Sequence, residues 1–207
     1  MMEANVKRFV IICGGECRCG GIPMDIFENA FVIAADSGYD TATALGVTPD
    51  LLVGDMDSIK EVPKDVPVHR VKAEKDDTDT MLAASIAIDM GAEEIFIVGG
   101  GGGRADHLLS NLFLLEALSE KGVSAQLHDG INRVRFVCDE SVKLERRGGY
   151  FGVLALDDCT VTAEGCKYPL KDAPLKRSHP YAVSNEVTSE YCTVTVKGKA
   201  LITESIK

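Results

Sequence analysis

Near residue 130 the chain changes its period, and that change limits the fold more than any other feature. Upstream, short apolar runs alternate with helix-like segments; downstream only short β-like stretches and turn residues remain. Alternating strands and helices mark an α/β layer built on a mainly parallel sheet, whereas short strands separated by turns mark a sandwich or barrel. The pattern predicts an α/β N-terminal domain over residues 1–130 with a mainly parallel sheet. An all-β C-terminal sandwich/barrel domain follows over residues 131–207, with the boundary near 129–132. A chain of 207 residues suits two cores, because domains usually run to about 100–150 residues.

In the first domain, residues 8–13, 31–35, 51–53, 94–98 and 124–128 read as buried strands. Residues 39–45 read as a short helix closed by Gly46, residues 78–90 as a helix followed by Gly91, and residues 106–121 as an apolar helix ending at Gly122. The later strands are expected at 133–138, 142–145, 150–156, 160–163, 191–196 and 200–203.

Four constellations carry chemistry. Gly54-Asp55-Met56-Asp57-Ser58 follows the strand at 51–53. Side chains two apart in extended backbone point the same way, so Asp55 and Asp57 meet at a strand's C-terminal end, where open α/β sheets bind ligands. Two such carboxylates repel unless a cation lies between them, and hard oxygen donors suit Mg²⁺. A solvated acidic turn is the alternative. In Lys75-Asp76-Asp77-Thr78-Asp79-Thr80, capping of the next helix explains one or two acidic residues. Three carboxylates in four positions call for a cation, and Lys75 stands ready for a phosphate.

The glycine run at 99–103 leads into Arg104, Asp106, His107 and Asn111. Gly102 and Gly103 leave the backbone free to approach a ligand, and the helix N-terminus beyond them favours phosphate. Neither the P-loop nor the dinucleotide G-x-G-x-x-G pattern is matched. Arg104, His107 and Asn111 share a helix face. In the β region, Tyr168 offers a ring on which a flat cationic heterocycle can stack, and Ser184 and Asn185 are short hydrogen-bonding residues. By themselves these last residues read as a hairpin tip and a turn.

The net charge of −10 argues against nucleic acid as a partner and requires a cation or local Arg and Lys at any triphosphate site. No apolar run approaches the roughly 20 residues of a membrane span, so no membrane partner is expected. The opening residues read as a first strand rather than a signal peptide, and seven cysteines, an odd number, suit a reducing, cytoplasmic setting. Cys13, Cys17 and Cys19 cluster in CGGECRCGG, without the further ligands of a zinc set.

Taken in order, ADSG at 35–38, GDMDS at 54–58, DDTDT at 76–80, GGRADHLLSN at 102–111 and GCKYPL…VSNE of the C-terminal part resemble the thiamine pyrophosphokinase family over nearly the whole chain. The resemblance implies an ATP- and Mg²⁺-binding α/β domain, a β-sandwich, and a homodimer holding thiamine between subunits. It implies transfer of a pyrophosphoryl group from ATP to the thiamine hydroxyl, with AMP released. By resemblance Asp55, Asp57 and Asp79 are the metal ligands, and Asp36, Arg104, Asp106 and Asn111 line the nucleotide and substrate cleft. Ser184 and Asn185 become thiamine contacts, and Tyr168 stands where some members carry Trp. Lys75, Asp76, Gly102, Gly103 and His107 are the remaining expected contacts to the nucleotide. Arg104 steadies the phosphates, and either Asp79 or Asp106 accepts the hydroxyl proton. CGGECRCGG departs from the family pattern. Two rival readings use the same residues: a Mg²⁺-dependent nucleoside-triphosphate pyrophosphohydrolase, and a non-catalytic nucleotide- or thiamine-binding regulator.

Overall fold

The structure is a computed structural model that describes residues 7–56, 59, 65–70 and 77–206. The expected site residues Asp57, Lys75 and Asp76 lie outside the described residues. The chain divides into two compact units, Met1–Gly130 and Ile131–Lys207.

Among its described residues the first unit carries six strands: β1 (Arg8–Ile12), β2 (Ala30–Ala35), β3 (Leu51–Gly54), β4 (Val68–Arg70), β5 (Glu94–Val98) and β6 (Ser124–His128). They lie in the order β4-β3-β2-β1-β5-β6, and each neighbouring pair is parallel. Helix α1 (Gly38–Leu45) packs on β1 and β2, α2 (Asp79–Asp89) on β1, β2 and β3, and α3 (Ala105–Glu120) on β6. Helices cover a parallel sheet on both faces, so its central strands are apolar throughout; Phe9, Val10, Ile11 and Ile12 of β1 are all fully buried. Short 3₁₀ turns at Cys19–Gly21 and Met24–Phe27 link β1 to β2.

The helix ends follow local chemistry. Thr78 caps α2 by accepting a hydrogen bond from the Met81 amide at 3.2 Å, and Gly46, Gly91 and Gly122 take left-handed backbone at or just past the three C-termini. Strand β4 was not anticipated. Among the described residues it pairs with β3 alone, and the sequence Val-His-Arg has no apolar alternation to reveal it.

The second unit is all β, with strands β7 (Asn132–Cys138), β8 (Ser141–Glu145), β9 (Tyr150–Ala155), β10 (Cys159–Glu164), β11 (Leu170–Leu175), β12 (Tyr191–Lys197) and β13 (Lys199–Ser205). One layer runs β7-β13-β9 and the other β11-β10-β12-β8, antiparallel throughout. Their inner faces share one core. Val137, Phe151, Val153, Ala200 and Ile202 of the first layer meet Leu144, Val161, Ala163, Leu175, Val194 and Val196 of the second. Residues 165–169 form the expected hairpin tip, joining β10 to its antiparallel partner β11, a strand that the pattern does not predict. It is an edge strand, where Pro174 is tolerated, and its polar Lys-Asp-Ala-Pro stretch hides it from pattern reading. Among the described residues no helix is long and apolar enough to cross a membrane.

Candidate active site

In the first unit the strand order runs outward from β1 to β4 on one side and to β5 and β6 on the other, so chain direction switches at β1. Ligands of open α/β sheets bind outside the strand C-termini at such a switch. A cleft of about 510 Å³ opens there. Its walls are the turn after β1 (Cys13 to Glu16), the turn after β2 (Ala35 to Ser37), the start of α2 (Asp77 to Thr80) and the glycine loop after β5 with the first turns of α3.

The walls approach so closely that side chains are excluded. A Cβ on Gly15 would fall 2.4 Å from the Gly99 carbonyl oxygen and 2.7 Å from that of Gly101. The β1 turn and the glycine loop therefore lie backbone against backbone. Asn111, buried on α3, holds the loop by donating from Nδ2 to the Gly100 carbonyl at 2.9 Å. Its side-chain amide thus acts on the loop backbone, one step behind any ligand.

The acidic residues converge at the end of β3. Gly54 adopts φ 151°, and a Cβ there would lie 3.2 Å from the Asp36 Cβ and 3.3 Å from the Asp79 Oδ1. Asp36 holds a left-handed φ of 48°, its amide donating to the Val53 carbonyl at 2.8 Å and its carbonyl accepting from the Tyr39 amide at 3.1 Å. Asp36 and Asp79 line the cleft, whereas Asp55, next after Gly54, is not among the lining residues. Among the described residues no three His, Cys, Asp or Glu side chains stand close enough to hold one ion. The donors that do converge are hard carboxylate oxygens. Mg²⁺ needs only one or two protein carboxylates when phosphate and water complete its shell, so the residues present fit that ion.

Arg104, the extended residue that precedes α3, and His107 and Asn111 on the helix all line the cleft. Asp106 does not. It pairs with Arg104 at 2.6 Å and accepts from the His107 amide at 3.1 Å, on an exposed surface. The guanidinium's hydrogen bond holds the Asp106 carboxyl below its ordinary range. An exposed pair of this kind sets direction more than stability.

Cys13 is buried beside α2, its Sγ 3.3 Å from the Thr80 Oγ1, and burial pushes its thiol up to about 11. Cys17 packs against Gly99, and burial with the neighbouring Cys19 thiol pushes it to about 12. Protonated, packed thiols of this sort are inert. Glu16 is the residue of this segment that pattern reading missed. Its Cβ lies 2.6 Å from where a Gly102 Cβ would be, and it forms one wall of the cleft. The glycine pair directly after the first strand was the available signal.

In the second unit Asn185 is buried and its amide is fully engaged. Nδ2 donates to the Tyr168 carbonyl at 2.8 Å, and Oδ1 accepts from the amides of Tyr168 at 3.0 Å and Glu186 at 2.9 Å. That clasp presents the exposed ring of Tyr168, with the Lys167 ammonium 5.6 Å from its centroid. Ser184, also exposed, precedes Asn185 in the chain with a left-handed φ of 58°.

Comparison with known proteins follows the two units. Residues 25–127 match the family described as thiamin pyrophosphokinase, catalytic domain, and residues 139–202 match thiamin pyrophosphokinase, vitamin B1 binding domain. A curated relative, the thiamine pyrophosphokinase of Bacillus subtilis (strain 168), is 32% identical over 170 residues, covering 77% of this chain and 79% of the relative. A crystal structure of thiamine pyrophosphokinase from Bacillus subtilis superposes with a TM-score of 0.84 at 27% identity, covering 96% of this chain and 99% of that one. A thiamin pyrophosphokinase structure from Geobacillus thermodenitrificans gives 0.79 at 25% identity, covering 96% and 98%.

Proposed function

The chain belongs to the thiamin pyrophosphokinase family, and from that premise we propose that the cleft of the first unit holds ATP with a magnesium ion and that Tyr168 and Ser184 of the second unit receive thiamine. The activity is pyrophosphoryl transfer from ATP to the hydroxyl of thiamine, giving thiamine diphosphate and AMP. The observation that carries the site assignment is the meeting of Asp36, Gly54 and Asp79 beside a glycine loop at the sheet's switch point.

Asp79 and Asp36, which line the cleft, would hold Mg²⁺, with Asp55 and Asp57 as the further expected donors. When bound, the ion neutralises charge on the triphosphate. The glycine loop, fixed by Asn111, offers amides to phosphate oxygens, and Arg104 reaches the same group from the start of α3. Transfer proceeds by attack of the thiamine hydroxyl oxygen on the β-phosphorus, with AMP leaving. Either Asp79 in the cleft or Asp106 at the start of α3 accepts the hydroxyl proton. Asn185 positions the turn, and the Tyr168 ring stacks on the cationic heterocycle.

The same reading makes the protein a cytoplasmic homodimer. All seven cysteines are free thiols, which suits a reducing compartment. Light scattering on the purified chain reads the dimer as twice the chain mass. Mass spectrometry of products formed from ATP, Mg²⁺ and thiamine tests the site reading when run on wild type and Asp79→Asn: thiamine diphosphate and AMP form in equal amounts with the first and not the second. AMP formed equally well without thiamine would identify a pyrophosphohydrolase instead.

A further inference from the structure

We infer that one end of the second unit's β-sandwich is an oxyanion site, built by Arg133 and Arg135 around Glu204, that takes a phosphate group. The register sets the three side chains together. Arg133 and Arg135 are two apart on β7, and Glu204 of β13 stands opposite Arg133. Their strands carry the core residues Val137, Ile202 and, on β9 opposite Glu204, Phe151. Side chains at this alternation face the sandwich interior, so the charged trio closes an otherwise apolar layer.

The charges do not balance. Glu204 lies 3.2 Å from Arg135 and 4.0 Å from Arg133, serving both guanidiniums with one carboxylate. Only 20%, 21% and 14% of the Arg133, Arg135 and Glu204 side chains is exposed. Burial pushes Arg133 below its ordinary value, and a third guanidinium, Arg147, lies near enough to disfavour its charge as well, against the opposing pull of Glu204 and Glu145. Arg147 has its own carboxylate, Glu145, at 3.0 Å, but that residue is 74% exposed and well screened. The Arg135 Nε is buried with no hydrogen-bond acceptor. Surplus, half-buried guanidiniums with an unused donor call for an anion with several acceptor oxygens.

Glu204 selects which anion. Any group entering must sit beside its carboxylate, which repels a bare dianion. Phosphate keeps a proton near neutral pH and can donate it to Glu204 while accepting from both arginines; sulfate has no proton to give.

Calorimetric titration with inorganic phosphate and with sulfate, at matched ionic strength, tests the site in wild-type protein and in Arg135→Gln, Arg104→Ala and Glu204→Gln. Saturable phosphate binding is expected in wild type and in Arg104→Ala, at least about tenfold weaker in Arg135→Gln. Sulfate is expected to bind at least about tenfold more weakly than phosphate in wild type and to approach it in Glu204→Gln. Binding that vanishes in Arg104→Ala and survives in Arg135→Gln would place the phosphate in the cleft and overturn the inference, as would equal affinity for sulfate or no binding in wild type. Should Arg135→Gln fail to fold, Arg133→Gln carries the same expectation and the same power to refute.

Discussion

The Asn111 amide nitrogen donates to the Gly100 carbonyl at 2.9 Å, tying the face of α3 to the loop that begins it. The contact crosses eleven residues of chain and is buried. Replacing Asn111 with Ala leaves a buried carbonyl without its donor, at a cost of about 1–3 kcal/mol. Urea unfolding should show that loss. The loosened loop should also raise the KM for ATP by about tenfold, with the KM for thiamine much less affected. Unchanged ATP kinetics would show that the clasp does not position the nucleotide.

Gly15→Ala tests the contact between the two loops. Its Cβ would press on the Gly99 and Gly101 carbonyl oxygens, which belong to backbone and cannot swing aside. Nucleotide affinity measured by calorimetry is expected to fall by about tenfold or more, because the loop amides move from the phosphate. Affinity equal to wild type would mean that the cleft tolerates a wider gap.

Removing the Arg104 guanidinium should raise the Asp106 pKa toward the ordinary 3.8. The sign follows from the pair: a carboxyl depressed in the folded protein contributes stability that is present above its unfolded pKa and is lost as pH falls through the lowered folded value. Carbon-13 detected titration of Asp106 in wild type and Arg104→Ala reads this directly. Coincident titration curves would contradict the pairing.

Tyr168→Ala should raise the KM for thiamine by about tenfold with little change in the KM for ATP, as expected for loss of cation stacking, and Tyr168→Phe should restore most of it. Asn185→Ala should resemble Tyr168→Ala and also lower the melting temperature, because it releases the turn that presents the ring. A thiamine KM unmoved by Tyr168→Ala would exclude stacking.

Chelation of divalent metal should abolish AMP formation, with activity returning on addition of Mg²⁺. Asp79→Asn should lower kcat by about 100-fold or more at saturating Mg²⁺. Full activity in Asp79→Asn would remove that carboxylate from the reaction.

The parallel half of the fold was legible because its strands are apolar on both faces and its helices stop at glycine. The edges were not. Strand β4 has three residues and, among the described residues, one sheet neighbour, and β11 carries Pro174 and charged residues, so neither shows the burial that produces a pattern. At the site, residue type located the glycine loop and the acidic turns, but not what each side chain touches. Asn185 was expected to contact thiamine, and its amide instead spends every hydrogen bond on backbone and on Cys166. Asp106 was expected in the cleft, and a neighbour two residues away draws it out. Such choices among nearby partners are made in three dimensions and leave no spacing to read.

Because the turn after β1 and the glycine loop lie so close that a Cβ at Gly15 would meet the Gly99 and Gly101 carbonyls, neither can be given bulk without the other changing in step. Grafting a foreign loop at either position should fail alone and succeed as a matched pair, which makes the two segments a single unit of inheritance despite the roughly eighty residues of chain between them.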